Sequence, residues 1–159
     1  LKEIIIDISK KIEIKVIQQT NKKNISSLNE FYLINNVENK IFNFEKNLEN
    51  IINEVDICIT RGGASTLAEL SVLNVPFIAV PLPTSKDHHQ LENVNYYKNN
   101  DCCWIIEQNY FDEKIEQLLK DIIGKKSSFL KKKENLKKLN YNNTWINVNQ
   151  KILENINEN

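Results

Sequence analysis

Thr60-Arg61-Gly62-Gly63 is followed by Ala64-Ser65-Thr66-Leu67-Ala68-Glu69, and this stretch holds two of the chain's three glycines and its single arginine. An average chain of this length would carry roughly 11 glycines, so a doublet here marks a tight turn or a close backbone approach. The apolar run Val55–Ile59 precedes it and a helix-like pattern follows. The order reads strand, glycine turn, helix N-terminus. A helix start presents unpaired N–H groups and the positive end of the helix dipole, which suits an anion. The chemistry indicated is the binding of a phosphate or nucleotide.

Two roles stay open for each polar residue around this turn. Thr66-x-x-Glu69 fits a capping box, with the threonine hydroxyl on the N3 amide and the glutamate reaching back. Alternatively Glu69 accepts hydrogen bonds from a vicinal diol such as a ribose, beside a phosphate on the amides. Arg61 either holds a phosphate through its planar fork of donors or forms a salt bridge. Asp87-His88-His89-Gln90-Leu91-Glu92-Asn93 has a helix-start signature of its own. Gln90 and Asn93 share a helix face at i, i+3. Their amides suit sugar hydroxyls, or are plain surface amides in an asparagine-rich chain. Adjacent histidines diverge on a helix and no third ligand is evident, so His88-His89 is not read as a metal site.

The elements that position these groups alternate. Lys2–Ser9 reads as the end of a helix. Ile12, Ile14, Val16 and Ile17 read as a strand, and Asn21–Ser27 as a loop. Phe31–Ile34 and Val37–Phe42 are short strand candidates. Leu48, Ile51, Ile52 and Val55 form a buried helix stripe. Strands follow at Asp56–Thr60, Val75–Val80 and Cys102–Ile106. Helices are expected at Thr66–Leu73, Gln90–Asn99 and Phe111–Ile123, the last stopped by Gly124 as a C-cap. Two more are expected at Ser128–Leu139 and Thr144–Ile156. This is an α/β pattern: a Rossmann-like parallel sheet with helices on both faces. Ligands in such sheets bind beyond the strands' carboxyl ends, so the Gly62-Gly63 turn and the Pro83–His88 loop are expected at one crevice.

Composition excludes several classes. With 159 residues, 41% hydrophobic and 26% charged, the chain fits one domain with a core. Zero net charge argues against a nucleic-acid groove. No apolar run approaches the ~20 residues of a membrane helix. Cys58, Cys102 and Cys103 lack metal spacing and fit reduced, buried thiols. No P-loop, nucleophile elbow, HExxH or paired CxxC is present. The lysine-rich stretch Lys125–Lys138 could meet anionic lipid but is read as a solvated helix face. The chain opens on Leu1, and we read it as part of a longer one.

Three segments in combination, Thr60–Leu70, Val75–Pro81 and Asp87–Asn93, resemble the carboxyl-terminal domain of glycosyltransferase family 28. Val16–Thr20, Val37–Leu48 and Cys103–Gln108 extend the resemblance over most of the chain. It implies the second, Rossmann-like half of a GT-B transferase, with residues 1–159 binding a UDP-sugar donor. It also implies inverting transfer of N-acetylglucosamine to lipid I, giving lipid II in peptidoglycan synthesis. In this family Ala64, Ser65, Thr66, Leu67, Ala68 and Glu69 would line the UDP, with Glu69 on the ribose. Glu45 would meet the uracil through its backbone, Arg61 would lie beside the diphosphate, and Gln90 with Asn93 would hold the N-acetylglucosamine. UDP-N-acetylglucosamine is then a substrate, and no cofactor or metal is implied.

The resemblance places the acceptor domain and a glycine-rich phosphate loop ahead of Leu1, so no catalytic residue is named in this chain. It implies peripheral attachment to the cytoplasmic face of the bacterial inner membrane. Two other readings remain: a donor-binding subunit of a two-chain N-acetylglucosaminyltransferase, and a non-catalytic nucleotide-binding domain.

Overall fold

The computed structural model describes residues 1–85 and 89–142. They run α1 (Lys2–Ser9), β1 (Lys15–Gln19), α2 (Ile25–Ile34), β2 (Glu38–Phe42), α3 (Leu48–Ile52), β3 (Cys58–Thr60), α4 (Ala64–Val72), β4 (Phe77–Ala79), α5 (His89–Asn99), β5 (Cys103–Ile105), α6 (Phe111–Gly124) and α7 (Lys126–Asn142). Every strand pairing is parallel, with Lys15 opposite Glu38, Cys58 opposite Phe77 and Phe77 opposite Cys103. Parallel neighbours need crossovers, and the helices between strands supply them. The fold is the Rossmann-like α/β arrangement expected from the sequence.

Side chains alternate across β4, as strand geometry requires. Phe77 and Ala79 face a core built from Ile52, Leu67, Leu70, Val94, Leu136 and Leu139, on α3, α4, α5 and α7. Ile78 faces the opposite core, with Ile8 of α1 and Ile115, Leu119 and Ile122 of α6. Helices therefore cover both faces. The α6 stripe is the one that the helical spacing of Phe111, Ile115, Leu118, Leu119 and Ile122 predicts.

The strands form two ladders, β1–β2 and β3–β4–β5, where the sequence reading expected one sheet. The ladders stand together. Glu54, just ahead of β3, binds Lys15 at the start of β1 (3.1 Å) and Lys40 of β2 (3.3 Å). Ile14 packs into the cores of both, and α1 sends Ile6 to one and Ile8 to the other. Between β1 and β3 no ladder bond joins the two among the described residues. A strand inside a three-layer domain should be buried on both faces. β4 is, whereas β3 and the middle of β1 are only half-buried.

Three expectations are corrected. Phe31–Ile34 is the last turn of α2, not a strand, because Leu28, Phe31 and Tyr32 form a helical stripe against Val37 and Ile41. Within Asn21–Ser27 only a 3-10 turn at Lys22–Asn24 precedes α2, which already starts at Ile25. Gly124 lies inside α6 with no positive φ, so it is no left-handed cap. That conformation falls instead to Asn36, Asn74 and Asp101, with φ of 56°, 56° and 51°. Each follows a helix, and the next residue, Val37, Val75 or Cys102, donates its N–H to the carbonyl five residues back at 2.9 Å. This is the Schellman closure. Asparagine and aspartate tolerate left-handed backbone better than other non-glycine residues. The expected helix at Thr144–Ile156 lies outside the described residues.

Candidate functional site

Parallel strands send their carboxyl ends to one edge, and the candidate residues gather there. β3 ends at Thr60, whose carbonyl accepts from Val80 N–H at 2.8 Å. Gly63 is the N-cap of α4, in extended backbone (φ −69°, ψ 125°), with no side chain capping the helix. This corrects the capping-box reading: Thr66 is the third helical residue, and Glu69 lies too far along α4 to reach back. The first bond of α4 runs from Leu67 N–H to Gly63 O at 3.0 Å. The N–H groups of Ala64, Ser65 and Thr66 therefore have no acceptor within the helix. Ala64 and Ser65 are exposed and Thr66 is half-buried.

Ser65 and Glu69 are four residues apart, so they share a helix face, and both are exposed with Ala68. Among the described residues Glu69 has no ion-pair partner. Leu67 does something else. Its side chain is fully buried in the core and its N–H is already bonded, so it positions the ledge from beneath.

The Arg61–Gly63 loop is tied to its neighbours. Gln90 Oε1 accepts from Leu82 N–H (3.0 Å) and Gly62 N–H (3.4 Å). Asn93 Nδ2 donates to Gly62 O at 3.0 Å. Gly62 rests directly on the first turn of α5: a Cβ there would fall on the Gln90 carbonyl and 2.8 Å from Gln90 Cβ. Only glycine fits this approach. Arg61 forms no ion pair among the described residues. Its guanidinium donates to Val80 O (3.1 Å) and Gln108 Oε1 (2.8 Å), joining the exits of β3, β4 and β5. Sequence reasoning missed Gln108, which no motif singles out and which lies 47 positions from Arg61.

Glu45 lies in the loop that leaves β2, with its Oε1 accepting from Asn47 N–H at 3.1 Å. That loop is held to the exit of β1 by Gln19 Nε2 on Asn43 O and Asn43 Nδ2 on Thr20 O, both 3.0 Å. Phe44 beside it is 79% exposed. Asp87 and His88 lie outside the described residues, and His89 is exposed at the start of α5. Among the described residues no cluster of histidine, cysteine, aspartate or glutamate could hold a metal. Burial pushes the thiols of Cys58 and Cys102 up to about 11 and that of Cys103 to about 12, so none is a nucleophile at neutral pH. A cleft of about 430 Å³ runs along the outer edge of β5, lined by Lys98, Asp101, Cys103, Ile105, Ile106, Glu107 and Lys114. None of the candidate residues lines it.

In α/β domains with helices on both faces of a parallel sheet, ligands bind beyond the strands' carboxyl ends, the edge at which α4 begins. Residues 1–144 match the family model described as the glycosyltransferase family 28 C-terminal domain, and the chain belongs to that family. It is 44% identical over its whole length to a protein of Pelagibacter ubique (strain HTCC1062), named UDP-N-acetylglucosamine–N-acetylmuramyl-(pentapeptide) pyrophosphoryl-undecaprenol N-acetylglucosamine transferase, and covers 45% of it. A Sulfurovum (strain NBC37-1) protein of the same name is 33% identical over 72% of this chain and 34% of its own. The chain thus spans less than half the length of these relatives. Among solved structures, the crystal structure of Acinetobacter baumannii MurG superimposes with a TM-score of 0.73, over 86% of this chain and 40% of that one, at 17% identity. The fold is therefore that of one Rossmann-like half of a GT-B transferase. No described helix is long and apolar enough to cross a membrane.

Proposed function

We propose that this chain is the donor-binding domain of an inverting N-acetylglucosaminyltransferase that converts lipid I to lipid II in peptidoglycan synthesis. UDP-N-acetylglucosamine is the donor, and the undecaprenyl-linked muramyl pentapeptide is the acceptor. The relatives' names support the reaction. The observation that carries the reading is local: α4 opens on three amides with no acceptor among the described residues, at Ala64, Ser65 and Thr66, and Glu69 follows on the exposed face of Ser65. Ser65 and Glu69 lie about 6 Å apart along the axis at 1.5 Å per residue. That spacing suits a diphosphate on the amides and a ribose diol on the carboxylate.

In this reading Ala64, Ser65, Thr66 and Ala68 border the UDP, with Leu67 supporting them from the core. The Glu45 backbone meets the uracil. Arg61 flanks the diphosphate with the donors that Val80 and Gln108 leave unused. Gln90 offers Nε2 and Asn93 offers Oδ1 to the N-acetylglucosamine. No cofactor enters. The acceptor domain and a glycine-rich phosphate loop precede this domain, and membrane contact is peripheral, through that other domain.

Titrating UDP, UDP-N-acetylglucosamine and NAD into the full-length protein, followed by amide NMR, tests the reading. Shifts at Ala64–Glu69 with the two uridine ligands, and none with NAD, are expected. No response to UDP would remove the basis for the assignment.

A further inference from the structure

We propose that Gln90 is a positioning residue as well as a sugar contact: its carboxamide oxygen holds the Arg61–Gly63 loop, and so the first-turn amides of α4, in the geometry that receives the diphosphate. This rests on the donor-binding reading above. Three contacts converge on one residue, Gly62. Its N–H reaches Gln90 Oε1 at 3.4 Å and its carbonyl accepts from Asn93 Nδ2 at 3.0 Å. Its Cα lies so close to the Gln90 backbone that no side chain fits. The same Gln90 oxygen takes Leu82 N–H at 3.0 Å, tying in the exit of β4.

The loop's freedom is therefore removed from α5. Gly63, the next residue, is the N-cap of α4, and its carbonyl accepts the first helical bond, from Leu67. The α4 dihedrals set the directions of the Ala64, Ser65 and Thr66 N–H groups, and the ties at Gly62 set where that first turn stands against α5 and the exit of β4. Arg61 supports the far side through Val80 O and Gln108. Donors aimed before the ligand arrives need no reorganisation on binding. The two ends of one carboxamide divide the work: the oxygen holds protein, and the nitrogen faces the sugar.

UDP, which has no N-acetylglucosamine, separates the roles. In the full-length protein Gln90→Met keeps the side chain's length and removes the acceptor. Its affinity for UDP should fall roughly tenfold, as expected when the two hydrogen bonds to the oxygen are lost and their donors stranded, and its affinity for UDP-N-acetylglucosamine should fall further, because the amide nitrogen is removed as well. Gln90→Glu keeps the acceptor, so the Gly62 and Leu82 amide resonances should stay in place; Gln90→Met should move them and those of Ala64–Thr66, without ligand. Thermal unfolding of both variants reports on the fold. If Gln90→Met leaves UDP affinity unchanged and weakens only the sugar nucleotide, the positioning role is overturned. Ligand-free α4 amide resonances identical to wild type would also overturn it. That arm stands even if the wild-type protein fails to bind UDP, which would instead sink the donor-binding reading.

Discussion

At the scale of single residues, Glu69 shows how structure removes one of two readings of a motif. The sequence allowed it to cap its own helix or to bind a ligand. The helix starts at Ala64, with Gly63 as N-cap, so the capping role is gone. Glu69→Ala and Glu69→Gln should therefore leave unfolding stability within about 0.5 kcal/mol of wild type, as for a surface site. Both should weaken UDP binding by about 1–3 kcal/mol, the cost of leaving a diol unpaired. Calorimetry for affinity and a thermal melt for stability check the two halves separately. Gly62 is the reverse case, since its identity is set by contact. Gly62→Ala should displace the loop and abolish UDP binding while far-UV circular dichroism stays close to wild type.

At the scale of elements, α7 is held by a cluster that no motif announced. Lys132, only 7% exposed, places its Nζ 2.6 Å from Asp101 Oδ1 and 4.8 Å from the centroid of the Trp104 ring. Asn135 Nδ2 donates to Asp101 O at 3.0 Å. Hydrogen bonds from Lys131 and Lys132 hold the Asp101 carboxyl below its ordinary value of 3.8. A depressed acid contributes stability above its unfolded pKa and loses it as pH falls through the folded value. Stability should thus decline below about pH 4, and Asp101→Asn should flatten that decline in acid-titrated melts. The carboxylate is 46% exposed, so screening keeps its share under about 1 kcal/mol. Lys132→Ala should cost more, about 1–3 kcal/mol, because it also removes a buried stem and the ammonium held over the Trp104 ring, whereas Lys132→Met should recover part of the loss. The sequence reading took this lysine-rich segment as a solvated face. That holds for Lys131, Lys137 and Lys138, but the charge count hid the one lysine turned inward.

Strands and long helices were legible because their apolar period is local: Ile115, Leu119 and Ile122 on α6 are the clearest instance. Phe31–Ile34 was misread because four bulky apolar residues in a row fit a buried strand as well as a helix end. The C-cap at Gly124 was misread: that glycine ends α6 without a positive φ, and the left-handed conformation falls to Asn36, Asn74 and Asp101 after other helices. The candidate site was legible as far as its loops and helix start. Its internal ties were not, since Gln90 with Leu82, Asn93 with Gly62 and Arg61 with Gln108 are tertiary contacts without sequence spacing.

At the scale of the whole molecule, the core is continuous around β4 and thins toward β1 and β3. All three cysteines sit in or beside that core. Their raised thiol values predict almost no reaction with a thiol reagent at pH 8 in the folded state, and rapid labelling of all three after denaturation. Mass spectrometry of the labelled protein reads this directly. Separate ladders have a further consequence. Strand edges without ladder bonds among the described residues, those of β1 and β3, can template another molecule's backbone. Residues 1–159 produced alone should therefore self-associate as concentration rises, through exchanged strands rather than through the donor ledge. A peptide of alternating valine and isoleucine, extended and parallel to β1, should compete with that association and return the protein to monomer.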